Sequence, residues 1–378
     1  MKIDKLIKYI FYINLVVEFL SLTKLPIGIF HTDYFSIVVF LLNCFILFYL
    51  LRNKMSPMRV NLSFVIILLY VLIFCFSYRT FKIDWSALLL VTFVPLITFH
   101  DESFIRNVLA IKVSITLLIM LLFFLGVVEE TTLSKLNTIG HSVGFFHPNT
   151  LGSIIFSIVC DILILFRNKR NHLHLYLIPI LISFIYIFYK ITYSRTSMIM
   201  TMILIACLIF KNILCSFKFN KTTLLASSSL IMILGTSVSM FYSPSNAIYV
   251  KLDSFLTNRL YLGNLYIHRY GFTLLPKLIN NIVPAGWWSS DALFIDNNYL
   301  KFVLSQGLII SVMIFIYILY NIFVNQYTLY TGLIILAVLT YLIIEAQGFN
   351  IFLFTPLLFN YISEGTNGNF LERRANNI

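Results

Sequence analysis

Long apolar blocks separated by brief polar punctuation run almost the whole length of this chain. Twelve such blocks fall at roughly 7–25, 34–51, 60–77, 85–99, 107–128, 150–166, 173–191, 197–215, 222–242, 300–321, 328–346 and 350–363. A helix needs ~20 apolar residues to cross ~30 Å of hydrocarbon, and most of the blocks have about that length. Uninterrupted runs of this kind satisfy their backbone in lipid only as helices. A membrane barrel would instead show ~10-residue segments of alternating polarity. The pattern predicts an all-α polytopic integral membrane protein of 10–12 transmembrane helices, a single membrane domain over residues 1–378.

Composition agrees. Hydrophobic residues make up 60% of the chain and charged residues 11%. A soluble domain carries about twice that charged share, and one globular core cannot hide so much apolar surface. A soluble enzyme, a nucleic-acid-binding domain and a disordered chain are thereby excluded. The net charge of +12 then reads as the basic bias of cytoplasmic loops. With the amino terminus inside, Lys2, Lys5, Lys8, Arg52, Lys54, Arg59, Arg106, Arg167, Lys169, Arg170, Lys211, Lys218, Lys221, Arg373 and Arg374 all fall on the inner side. Four of the outer cations, Lys251, Arg259, Arg269 and Lys277, share one long loop, and long loops weigh little in this rule. Both termini are therefore expected in the cytoplasm. The first apolar block lacks a small-residue cleavage site and is expected to remain as a span. The five cysteines lie in or beside apolar runs without metal-binding or redox spacing.

The longest stretch between blocks, 243–299, falls on the outer side. Connections of this length are usually functional. Leu252 to Leu275 has the pattern of an amphipathic helix lying on the membrane surface.

Four polar motifs collect on that same side. Gly144 to Gly152 holds His147-Pro148-Asn149; it suits a helix start, yet His147 also titrates near neutrality and can exchange a proton. Thr192 to Ser197 places Arg195 beside Ser194 in a very short turn between two spans. A snorkelling anchor is the plain reading, but a guanidinium so close to the hydrocarbon is costly and offers a planar fork to phosphate oxygens. Asn258-Arg259-Leu260 lies in the long loop with Arg269 ten residues on, either a basic face for headgroups or a pair clamping a diphosphate. Asp296-Asn297-Asn298-Tyr299 opens a span, either as a helix cap or with Asp296 as proton acceptor. Glu345, Gln347 and Asn350 end another span, and a short solvated turn is the favoured reading there. Together the motifs suit a substrate with a diphosphate, a greasy tail and a sugar: arginines for the diphosphate, Trp287 and Trp288 stacking on sugar rings.

In order and spacing, these motifs from about 140 to 350 resemble the Wzy-type polysaccharide polymerases of the O-antigen polymerase and ligase superfamily. The first five blocks match only in hydropathy. The resemblance implies a GT-C-like fold with one larger outer loop in the bacterial cytoplasmic membrane. It implies an active site on the outer face that moves a growing glycan from undecaprenyl diphosphate onto the next lipid-linked repeat unit. A flippase and a chain-length regulator are the implied partners, with no nucleic acid. Arg195 and Arg259 would match the family's arginines for the donor diphosphate; the match of a further arginine to Arg269 is loose. Asn149, Ser194, Asn258, Asn297 and Tyr299 join as substrate-binding candidates.

The chain has no Asp-x-Asp motif, so fixed arginines rather than a divalent metal are expected to stabilise the leaving diphosphate, with no cofactor. His147 and Asp296 are the candidate bases, with a lean to His147 because its pKa sits nearer working pH. Three rivals remain: a ligase making a single transfer, a transferase with a lipid-phosphate monosaccharide donor (Asp33 beside His31), and a flippase or transporter. The last needs polar residues deep in several spans, where Glu18 and Lys112 are the main exceptions.

Overall fold

The computed structural model describes residues 3–25, 32–52, 58–77, 83–97, 101–135, 138–167, 173–256, 258–280, 295–345, 349–350, 353 and 355–363. Among these the protein is all-α apart from one small hairpin. In chain order the helices are α1 (Ile3–Ser21), α2 (Thr32–Arg52), α3 (Met58–Ser77), α4 (Trp85–Leu96), α5 (Glu102–Phe124), α6 (Pro148–Phe166), α7 (Leu173–Thr192), α8 (Arg195–Ile209) and α9 (Lys211–Ser216). They continue as α10 (Lys221–Ser237), α11 (Ala247–Phe255), α12 (Arg259–Tyr270), α13 (Asn298–Val324), α14 (Leu329–Ile344) and α15 (Phe359–Ile362). Strands β1 (Thr132–Lys135) and β2 (Thr138–His141) pair antiparallel between α5 and α6.

Among the described residues, five helical segments are by length and composition apolar enough to cross a membrane: Glu102–Phe124, Pro148–Phe166, Leu175–Thr192, Lys221–Phe241 and Asn298–Val324, the last of them interrupted at Gly307. Shorter apolar helices lie at Phe35–Tyr49, Val60–Ile73, Trp85–Leu96, Arg195–Ile209 and Leu329–Ile344. This is a membrane-embedded helical protein. Its helix starts follow local chemistry. Asp84, Asp101, Asn220, Asn297 and Thr328 each accept a first-turn backbone N–H, which satisfies donors the helix itself leaves open.

Helices cover eleven of the twelve predicted blocks. The last differs: in 350–363 the described residues form a 3₁₀ turn, Thr355–Leu357, and the single turn α15. The block at 197–215 breaks at Phe210 into α8 and α9. The predicted surface helix 252–275 is also two helices, because Asn258 takes a left-handed conformation (φ 65°) between α11 and α12. Gly271, also at positive φ, then ends α12.

α13 is broken at Gly307 (φ 76°, ψ 165°). Tyr299 and Phe315 would stand ~24 Å apart on a straight helix, yet their ring centroids are 5.6 Å apart. The two halves therefore fold towards each other. The segment after α12 supplies partners for the broken turn: Leu308 N–H donates to Thr273 O (2.9 Å) and Ile309 N–H to Leu274 O (3.2 Å). A side chain at Gly307 would strike the backbone of Leu274 and Leu275.

The helix ends sort into two faces. On one, Lys8 pairs with Asp101, Tyr361 Oη donates to Asp101 O, and Arg167 donates to Tyr361 O (2.8 Å) while lying over its ring. On the other, Thr23 bridges to Phe145, Gly140 meets Thr192, and the ends of α8, α12, α13 and α14 converge.

Candidate functional site

The convergence centres on Arg259, the first residue of α12. Its position is set from α11: Asp253 Oδ1 accepts the N–H groups of Leu260 (2.8 Å) and Tyr261 (3.1 Å). The Arg259 side chain is buried and points into three helix ends. Its Nε donates to Asp296 Oδ2 (3.1 Å), one terminal nitrogen to Thr196 Oγ1 (3.0 Å) and the other to Glu345 Oε1 (3.1 Å). Three of the sequence motifs thus meet at one guanidinium. Burial opposes the Arg259 charge, but the Glu345 and Asp296 carboxylates more than offset it and raise its pKa above the ordinary value.

Two carboxylates face one guanidinium. Glu345 is sealed at 3% side-chain exposure, whereas Asp296 is 33% exposed. Asp296 is the open edge. Arginine has five N–H donors, and three directions are already committed.

Beneath the cluster lies a hydroxyl chain. Ser194 Oγ donates to Ser197 Oγ (3.0 Å), and Tyr341 Oη is shared between Ser197 (2.8 Å) and Ser153 (2.7 Å). This joins the His147 helix, α6, to the turn that carries Arg195. The turn is tight, with Tyr193 at φ 49°. Gly152 permits the approach, since a Cβ there would sit 2.7 Å from Ser197 Oγ. A small cavity beside it is lined by Gly152, Ser194, Ser197 and Thr201 together with apolar residues of α6 and α7.

The other candidates fall as follows. Arg195 is exposed at the start of α8, next in sequence to Thr196, and has no carboxylate partner among the described residues. His147 caps α6: its Nδ1 accepts the Asn149 N–H (3.0 Å). With Nδ1 committed as an acceptor, a neutral ring would carry its proton on Nε2. Asn149 is buried in the first turn of α6, and Asn258 is exposed. Asn297 is fully engaged in packing, accepting from Leu300 N–H (3.1 Å) and donating to Gly235 O (2.6 Å). Tyr299 is buried, donating to Leu339 O (3.0 Å). Arg269 lies over the Tyr270 ring at the far end of α12, ~15 Å along the helix from Arg259, so the two arginines do not form a pair. Trp287 and Trp288 lie outside the described residues.

Sequence reasoning assigned Glu345 to a solvated turn; the structure buries it on Arg259 instead. Its signal was its place as a lone acid ending an uncharged span. Thr196, Tyr341 and Ser153 gave no such signal. Asp161 was also passed over. It lies within α6, its carboxylate 2.6 Å from Lys112 Nζ, with both side chains fully buried.

No family model, curated protein or solved structure matches the chain.

Proposed function

We propose that this protein is a polysaccharide polymerase, a membrane glycosyltransferase acting at the outer face of a bacterial cytoplasmic membrane. It transfers a growing glycan from undecaprenyl diphosphate onto the next lipid-linked oligosaccharide. The observation that carries the reading is the Arg259 cluster, where three separate motifs supply Thr196, Arg259 and Asp296 to one open-edged point. In this proposal the chain has 10–12 spans in a GT-C-like arrangement, with both termini cytoplasmic. The basic residues Lys8, Arg167, Lys211, Lys218 and Lys221 support that orientation through the positive-inside rule.

The roles follow from the geometry. Asp296 is held through one oxygen by Arg259 and retains its other oxygen for the acceptor hydroxyl. As that hydroxyl attacks the anomeric carbon, its proton passes to Asp296. The bond from that carbon to the diphosphate breaks, and its electron pair leaves on undecaprenyl diphosphate. Arg195, exposed and without a carboxylate partner among the described residues, meets the growing negative charge, and the remaining Arg259 donors assist. His147 serves as a hydrogen-bond donor and cap, so the base role passes to Asp296. The transfer is metal-independent in this scheme. The test is purified protein in detergent with an undecaprenyl-diphosphate-linked repeat unit, EDTA and no nucleotide sugar. A product ladder with released undecaprenyl diphosphate is expected. A single product would favour the ligase, and unchanged cognate substrate with folded protein would overturn the reading.

A further inference from the structure

α11 is built inside out for a helix in water. Its buried position is the polar one: Asp253 turns inward and caps α12. Ile248, Leu252 and Phe255, spaced i, i+4 and i+7, form one apolar stripe. They are exposed by 76%, 40% and 72%. Lys251 and Ser254 border the stripe and are exposed as well. Only five residues separate the helix from the end of the Lys221–Phe241 candidate span, so the chain itself holds it within about 20 Å of that span's end.

A stripe of large apolar side chains beside a lysine, tethered to a membrane helix, matches an interfacial helix. We propose that α11 lies in the bilayer boundary on the face that carries the Arg259 cluster, with Ile248, Leu252 and Phe255 in the hydrocarbon. Through Asp253 it fixes the first turn of α12, and with it Arg259, at a set depth from the lipid. The occupant of the stripe is bilayer lipid. The inference does not depend on the reaction assigned above.

The test uses the full chain in vesicles of phosphatidylethanolamine and phosphatidylglycerol. The five native cysteines are replaced, and single variants Ile248→Cys, Phe255→Cys and Ser254→Cys carry a small fluorophore. Ile180→Cys on α7 is the lipid-facing reference and Ser245→Cys the aqueous one. Nitroxide-bearing lipids and aqueous iodide then compete as quenchers. At positions 248 and 255 lipid quenching should exceed iodide quenching several-fold, as at 180, while position 254 leans towards iodide. Iodide dominance at 248 and 255, or shielding from both quenchers as a protein partner would give, overturns the proposal. Correct behaviour at 180 and 245 shows that the variants are folded.

Discussion

Two buried ion clusters among the described residues are built to opposite plans. Lys112 and Asp161 form a balanced pair between α5 and α6, with both side chains fully buried and Thr355 Oγ1 3.4 Å from the ammonium. Arg259 faces two carboxylates, and one of them, Asp296, reaches the open. The first is sealed from solvent and ties two helices to the chain near Thr355. The second leaves a carboxylate oxygen at an edge, next to the helix start that carries Arg195, which has no carboxylate partner among the described residues. Burial alone therefore does not mark a chemical site. What sets the Arg259 cluster apart is its second carboxylate and its opening at Asp296.

The largest effect separating the two should come from Arg259→Ala. It strands two carboxylates and removes the residue that orients Asp296, so polymer should fall to background in a product-ladder assay. Normal chain lengths would contradict the proposed role. Lys112→Met should act differently, destabilising the protein by about 3–5 kcal/mol by leaving Asp161 unpaired. The double change Lys112→Met with Asp161→Leu should recover most of the loss in thermal unfolding and retain polymer. A double variant as unstable as the single one would mean the pair does more than fasten helices.

Much of this contrast was hidden in the sequence. Eleven of the apolar blocks coincide with helices because a span must be long and apolar, which the sequence reveals directly. The broken helix at Gly307 was not visible, since its partners come from Thr273 and Leu274 through backbone atoms that no residue type announces. Arg195 and Asp296 stood out as charged residues at span ends, and Arg259 as a cation in the long outer loop. That Arg259 is shared by Asp296 and Glu345 depends on how α12, α13 and α14 come together, which spacing does not encode. The same holds for His147, whose Nδ1 is taken up by the Asn149 N–H at the start of α6.

Arg195→Ala leaves the Arg259 cluster intact and removes the exposed cation. Polymer yield should fall sharply with thermal stability nearly unchanged. An unchanged rate would move the diphosphate contact elsewhere. The smallest effect lies on the opposite face. Hydrogen bonds from Lys8 and from the Ser103 hydroxyl and N–H hold the Asp101 carboxyl down at about 2. A lowered folded-state pKa stabilises the protein above the unfolded value of ~3.9, and that contribution is lost as pH falls from there towards 2. Asp101→Asn should slightly lower the melting temperature at neutral pH and flatten its decline over that acid range, without altering the product ladder.

The most direct test of the open cluster compares Asp296→Asn with the Lys112→Met and Asp161→Leu double variant in one reconstituted polymerisation assay, with folding checked by thermal unfolding. Asn keeps the acceptor for Arg259 Nε but cannot take the hydroxyl proton. The account predicts a folded Asp296→Asn protein that makes little or no polymer and a double variant that still makes a ladder. A full ladder from Asp296→Asn would contradict it.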